Sequence, residues 1–363
     1  MRLFQNFGVY RSYLPRLAKL VEGLDSFEAS RDVFLGDRFG ASHVLLPVLE
    51  GHETTFFTNG GDYILQGLWA RQQGMPSTST LADILLAQIE HHRTEVFYNI
   101  DPMRYGNEFV RRLPGCVKHA IAWRAAPSST KDFGAYDRIV CNFPAILAAY
   151  RARGWKAEYF TPAHDPEMDS YAANYERPID ILFVGGYSRY HRRRAAILEA
   201  VAQLAPKLRV RFHLDRSRMT RLAESPIGWC PPFSQYRRPG AIRRVSAEPV
   251  FGRDLYHALS RAKIVLNGAV DMAGDERGNM RCFEAMGCGA LMLSDAGRYP
   301  EGMQDGTNMV TYRDGAHAVQ LATSLLAQPE SLQCMAQRGY QSVATIYSKA
   351  AQWREFERIV SEI

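Results

Sequence analysis

The chain has 363 residues, 46% hydrophobic and 23% charged. That suits two globular domains, and no window approaches the roughly 20 consecutive apolar residues of a membrane-spanning helix. The formal net charge is +6, with basic clusters at Arg192-Arg193-Arg194, Arg237-Arg238 and Arg243-Arg244. Such a balance favours anionic ligands or an anionic surface. A nucleic-acid partner is not expected, because no helix-turn-helix, zinc-finger or RNP pattern is present. The arginine-interrupted start MRLFQNFGVYRSYLPRL lacks the apolar core of a secretory signal, so a cytoplasmic location is expected, with peripheral contact to an anionic membrane left open.

In chain order, Met1–Phe7 predicts a first strand, and Gly8 turns it toward a helix with Leu14, Leu17, Leu20 and Val21 on one side. Asp32–Gly36 reads as a short apolar strand, with a helical stretch over Ala41–Leu49. The β-branched and aromatic run 54–58 is a strand, 79–91 a helix, and 95–102, 118–123 and 137–142 are further strands, the last followed by a helix over 144–154. The proline-bearing stretch 157–178 breaks the rhythm and reads as a linker. The pattern then restarts: strand 179–186 ending in Gly185-Gly186, helix 193–204, strand 208–214, an irregular segment 216–249, a helix starting at Leu255 and strand 263–268. Two helices are expected to close the chain, the last with Trp353, Phe356 and Val360 on one side.

Alternating strands and helices imply mostly parallel sheets covered by helices. The expected organisation is an α/β chain of two Rossmann-like domains facing across a cleft. Residues 1–165 form the first, 166–178 a linker, 179–346 the second, and 347–363 a helix returning to the first. Open α/β sheets bind ligands at the carboxyl ends of their strands. The six cysteines, Cys116, Cys141, Cys230, Cys282, Cys288 and Cys334, show no paired short spacing and are expected to be reduced and not zinc ligands.

The stretch DERGNMRCFEAMGCGALMLSD, 275–295, carries two acids, Glu276 and Glu284. A helix entered through Gly278 and beginning near Asn279 offers free backbone N–H groups and positive dipole charge to an anion. Arg281 and Glu284 are three apart and share a helix face. A carboxylate one turn into such a helix can accept two hydroxyls, as a ribose diol supplies them. Glu276 sits at the mouth, where a sugar could be met. Ala285, Gly287 and Gly289 are small enough to let the helix lie close to its sheet.

These residues resemble the carboxyl-terminal domain of GT-B glycosyltransferases of the group 1, family 4-like kind, nearest the spore-maturation-protein-like branch. The family's pattern of Glu, seven residues, Glu and an x-Cys-Gly tail stands here as Glu276…Glu284-Ala285-Met286-Gly287-Cys288-Gly289. The segments 183–200, 249–267 and 305–314 resemble the family's Gly loop, base-binding turn and tail. The resemblance implies that Glu284 binds ribose hydroxyls and that Glu276 contacts the transferred sugar. It further implies that Gly278, Asn279 and Arg281 hold sugar hydroxyls or phosphate, that the backbone near Val250 meets the base, and that Gly185, Gly186, Ser188 and Arg189 line the diphosphate. The family usually carries an Arg and a Lys in that loop. Here Arg189 and the 192–194 run are the available cations, with His191 beside them.

The activity so implied is transfer of a sugar from a UDP- or GDP-linked donor to a glycan or lipid-linked acceptor, retaining and metal-independent, with no cofactor beyond the donor. Inversion would need a general base, for which Asp101 at a strand end is the candidate. A non-catalytic nucleotide- or glycan-binding protein of the same shape and a nucleotide-sugar epimerase remain as alternatives. A dehydrogenase does not, because neither strand–Gly turn carries G-x-G-x-x-G.

Overall fold

Parallel strands covered on both faces are largely apolar, and the strands of this chain are mostly buried runs in which polar side chains gather toward the carboxyl ends, as Asn6, Asn59, Asn99 and Asp295 do. The computed structural model describes residues 1–128, 130–229, 233–268 and 274–363. The chain divides into two units, one formed by Met1–Ala163 with Tyr347–Ile363, the other by His164–Ile346.

In the first unit, β1 (Leu3–Phe7), β2 (Thr55–Asn59), β3 (Val96–Asn99), β4 (His119–Trp123), β5 (Arg138–Cys141) and β6 (Ala157–Tyr159) form a parallel sheet in the order β2-β1-β3-β4-β5-β6. Phe4 lies opposite both Phe56 and Phe97 in the register and stacks on Phe56 at 4.9 Å, so aromatic pairs fix the alignment of the central strands. In the second unit, β7 (Ile179–Gly186), β8 (Val210–Asp215), β9 (Ser246–Ala247), β10 (Ala262–Leu266), β11 (Leu291–Asp295) and β12 (Val310–Tyr312) are likewise parallel. Their order is β12-β11-β10-β7-β8-β9. The strand order reverses between β1 and β3 in the first sheet and between β7 and β10 in the second. In such sheets a crevice opens at that point, outside the carboxyl ends. Both sheets are Rossmann-like, as the alternating pattern predicts.

Several elements differ from expectation. Asp32–Gly36 is not a strand but the last part of a helix, Phe27–Gly36. Ser26 caps it by accepting from the Ala29 N–H, and Phe27, Ser30 and Phe34 form its buried face. The Ala41–Leu49 stretch is broken into a 3₁₀ turn, Ala41–His43, and a short helix, Leu46–Leu49. The presumed linker contains β6 and a helix, Met168–Ala172. The presumed irregular segment holds helices Arg218–Glu224 and Gly240–Val245. Three helices follow β12: Gly315–Leu326, Pro329–Ile346 and Lys349–Ser361.

The last of these belongs to the first unit. Phe356 is fully buried against Tyr98 and Phe160, at ring distances of 4.9 and 6.0 Å. The buried face runs through Lys349, Gln352, Phe356 and Ile359, so the apolar stripe read from Trp353, Phe356 and Val360 is rotated slightly. Lys349 is only 2% exposed. Its Nζ donates to the carbonyls of Ala41 and Val44, both at 2.7 Å, and to Gln352 Oε1 at 3.1 Å. A buried ammonium is tolerated only when its donors are met in this way.

Lys349→Met is therefore expected to cost about 2–4 kcal/mol, since it removes charge-assisted hydrogen bonds from three buried acceptors, the Ala41 and Val44 carbonyls and Gln352 Oε1. Urea unfolding followed by near-UV circular dichroism should show a lowered midpoint, and an unchanged midpoint would contradict the role given to this side chain.

Candidate functional site

At the switch point of the second sheet, β7 ends in Gly185 and Gly186. A Cβ on Gly185 would lie 3.6 Å from an Arg194 guanidinium nitrogen, which places that arginine against the strand end. The chain turns through Ser188, whose Oγ accepts from Tyr190 N–H at 3.3 Å and whose carbonyl accepts from His191 N–H at 3.2 Å. It then enters the helix Arg192–Ala202. The four arginines of this region separate by environment. Arg189 is exposed and donates to the Arg237 carbonyl at 2.8 Å, and Arg192 and Arg193 are exposed. Arg194 instead turns inward, its guanidinium 5.4 Å from the Phe183 ring centroid. Its buried Nε makes no hydrogen bond. Burial lowers its pKa, while Tyr312 and Asp295 oppose that shift.

Next to it, β10 ends at Leu266 and Asn267 follows, 3% exposed. Its Nδ2 donates to Asn279 Oδ1 at 3.0 Å and to Ser294 Oγ at 3.1 Å, while its Oδ1 accepts from Asn279 Nδ2 at 3.1 Å. Its backbone N–H reaches Leu293 O at 2.8 Å, and its carbonyl accepts from Tyr312 OH at 2.5 Å. Asn279 is the N-cap of the helix Met280–Gly287, yet its side chain makes no capping bond, being committed to Asn267. The first amides of this helix thus lack a side-chain cap, and the helix dipole adds positive character there.

Glu284 lies one turn in and is 2% exposed. Arg281 Nη1 meets its Oε2 at 2.6 Å, the pairing that their spacing predicts. Burial raises the Glu284 pKa against the pull of Arg281. The Arg281 Nε, also buried, makes no hydrogen bond. Arg194 and Arg281 are close enough for each to feel the other's charge. Two guanidinium groups, one buried acid and a helix N-terminus therefore converge at the carboxyl ends of β7 and β10.

Glu276 is 7% exposed and sits 3.4 Å from Arg298 Nη2. It belongs to a short parallel bridge with Arg298, closed by Arg277 N–H to Arg298 O and Arg298 N–H to Asp275 O, both 2.8 Å. Sequence reasoning missed what holds this loop. Arg277 is buried, its Nε 2.6 Å from Asp295 Oδ2, with Nη1 on the carbonyls of Gly274 and Glu276 and Nη2 on that of Ala296. The available signal was an arginine beside the acids and an aspartate ending the apolar strand β11. Of the expected loop 269–278, residues 269–273 lie outside the described residues, as does Cys230.

Val250 is partly buried, packed on the core cluster that includes Leu182 and Tyr256, just before the helix Gly252–Ser260. Ala285 packs in the core cluster with Leu182 and Val265 of the sheet, as expected, but Gly287 and Gly289 serve a different neighbour. A Cβ on Gly287 would come 2.6 Å from Met168 Sδ, and Gly289, at φ +72°, faces Arg177 and Ala172. They admit the 164–177 segment against the helix end. Cys282 and Cys288 are buried free thiols, and burial pushes Cys282 up to about 12 and Cys288 well up. No metal-holding group of His, Cys, Asp or Glu occurs among the described residues.

Asp101 belongs to the other unit. It lies two residues past β3, where its carboxylate packs against Gly8 and pairs with Arg104 at 3.3 Å.

Residues 192–358 match the model of a family described as glycosyl transferase-like. No curated protein matches the chain in sequence. Among solved structures, HepE of Anabaena in complex with UDP and glucose is similar over 100% of both chains, at 12% identity and a TM-score of 0.60. A glycosyltransferase from Rickettsia africae matches over 99% of this chain and 97% of its own, at 11% identity and TM-score 0.55. A sucrose-phosphate synthase from Thermosynechococcus elongatus matches over 85% and 82%, at 12% identity and TM-score 0.52. The likeness is one of fold and agrees with the two-domain Rossmann-like class expected.

A carboxyl whose pKa is raised on folding favours the native state at low pH, and that contribution is lost as pH rises through the raised value. Glu284→Gln should remove this loss. In urea titrations across a pH series, the variant should gain on the parent as pH climbs from the ordinary carboxylate value of 4.5 toward neutrality. A variant that instead becomes relatively weaker over that range would show Glu284 to be a net stabiliser.

Proposed function

We propose that the chain is a glycosyltransferase that takes a sugar from a nucleoside diphosphate donor, UDP- or GDP-linked, and passes it to a saccharide or lipid-linked hydroxyl. The observation that supports this best is the pairing of Arg194 and Arg281 with the uncapped start of the Met280–Gly287 helix, one turn before the buried Glu284. A diphosphate needs cations and amides, and a ribose diol needs an acceptor carboxylate. The second unit gathers both at its switch point.

In this reading Glu284 accepts from the ribose hydroxyls, and the amides after Gly278 and Asn279 meet phosphate or sugar oxygens. Arg194 takes the diphosphate role, and Gly185, Gly186 and Ser188 leave room beside it. Arg189, exposed and bound to the Arg237 carbonyl, stands at the rim. The backbone near Val250 meets the base, and Glu276 meets the transferred sugar.

The reaction breaks the bond between C1 of the sugar and the β-phosphate oxygen and forms one between C1 and the acceptor oxygen. Negative charge grows on the leaving diphosphate. Positive groups fixed in place before reaction stabilise that charge most effectively. With retention, the acceptor attacks from the face the diphosphate leaves, and its proton passes to the departing phosphate oxygen. With inversion a separate base takes that proton, and Asp101 of the first unit is the candidate. Retention is the reading adopted, following the Glu-x7-Glu resemblance to the group 1 transferases, and the anomeric signal of the product in NMR reports it directly.

A thermal-shift titration with UDP, GDP and their sugar conjugates tests the donor site. Saturation at 100 times Kd stabilises by about 2.7 kcal/mol, which is readily seen. Arg194→Ala and Glu284→Gln should each weaken the best diphosphate by tenfold or more, as loss of a charge-assisted hydrogen bond implies. No shift with any diphosphate, or affinity in both variants unchanged from the parent, would end the proposal. Diphosphate release with an acceptor present separates a transferase from a binding protein or an epimerase.

A further inference from the structure

A second pocket lies wholly in the first unit, with a volume of about 720 Å³. That volume falls in the range of small-molecule sites, roughly 300–1,000 Å³. It is lined by the segments after β2 (Tyr63 and Thr80–Ala82), after β3 (Met103–Arg112) and after β4 (Lys131 and Asp132). It therefore opens on the carboxyl side of the first sheet.

Its lining has two unusual parts. The first is charge: Arg104, Arg111, Arg112 and Lys131 face only Glu108 and Asp132. Arg104 is held by Asp101 at 3.3 Å and Arg112 by Asp83 at 3.0 Å. Asp132 is occupied as an acceptor, by the Gly134 N–H at 2.9 Å and by Asn107 Nδ2 at 2.7 Å. Arg111 and Lys131 make no direct ion pair among the described residues, although the Arg111 charge is felt by Asp132. The second is apolar surface: Tyr63 is 56% exposed and Met103 39%, and both border this pocket. A flat aromatic face beside unpaired cations fits a ring that is apolar on one face and carries a negative group at its edge.

We infer that this pocket binds an anionic saccharide, with a sugar face against Tyr63 and Met103 and its carboxylate or phosphate meeting Arg111 and Lys131. As the acceptor site it rests on the transferase reading above, but the binding itself does not. The experiment therefore measures binding to the full chain without any donor.

The probes are a tetrameric oligouronate, a hexose 1-phosphate, a neutral tetrasaccharide of equal length and inorganic phosphate, titrated by calorimetry in low and high salt. One of the two anionic sugars should bind at least tenfold more tightly than the neutral tetrasaccharide and inorganic phosphate, and more weakly in high salt. Which of the two binds tells a uronate from a phosphosugar. The double variant R111E/K131E should lose tenfold or more, and Tyr63→Ala should weaken the same probe while inorganic phosphate is unaffected. All three side chains are exposed, so the variants should fold, and an unaltered thermal midpoint checks this. Equal binding of neutral and anionic sugars, phosphate binding as strong as the sugars, or an unaffected double variant would overturn the inference. Diphosphate binding to the second unit is a separate measurement, so failure here and failure of the donor site can be told apart.

Discussion

Past Leu266 the polar groups of a single asparagine hold three elements together. Asn267 bonds through its side chain to Asn279 and Ser294 and through its backbone to Leu293 and Tyr312. A buried amide has two donors and a carbonyl with two lone pairs, and here they are spent on neighbouring strand ends and a helix cap. The consequence for the site is indirect. Asn279, tied to Asn267, does not turn back to cap its own helix, so the positive end of that helix stays available. The first unit uses a similar device. Asn6 Nδ2 donates to Asn99 Oδ1 at 2.8 Å, Asn6 Oδ1 accepts from Gly60 N–H at 2.9 Å, and Asn99 Nδ2 reaches Tyr136 OH at 2.6 Å. In both sheets amide side chains brace the point where the strand order reverses.

On this brace sits an arrangement of charge that is costly in the free chain. Arg194 is largely desolvated, stabilised in part by the Phe183 ring, and its Nε is unmet. Glu284 is desolvated as well, offset in part by Arg281. Buried charges of this kind do not add net stability unless fully satisfied. An anion beside the two guanidinium groups and a hydroxyl on the acid would supply what is missing. The proposed function gives that cost a purpose, because the same fixed charges that burden the free state would stabilise a leaving diphosphate.

Much of this was legible in the sequence. Apolar and β-branched runs marked β1 to β5, β7, β8 and β10, while the short edge strands β6, β9 and β12 were not read as strands. The three-residue spacing of Arg281 and Glu284 placed them on one helix face, where they pair at 2.6 Å. What escaped was set by contacts distant in the chain. Asp32–Gly36 has the apolar content of a strand, and only the Ser26 cap and the burial of Phe27 and Phe34 make it a helix end. Arg277 looked like one more loop charge, yet it clamps the loop through Asp295, eighteen positions on. Among the four arginines at 189–194, composition could not separate Arg194, which only the packing over Phe183 distinguishes. Asn267 ended a strand and gave no sign of its reach to Asn279 and Ser294.

The central claim is positional, so a crystal structure with UDP bound tests it most directly. The account predicts ribose hydroxyls on the Glu284 carboxylate and phosphate oxygens at the Met280 and Arg281 amides, within reach of the Arg194 guanidinium. A well-ordered nucleotide bound elsewhere on the chain, with Glu284 still closed on Arg281 alone, would contradict it.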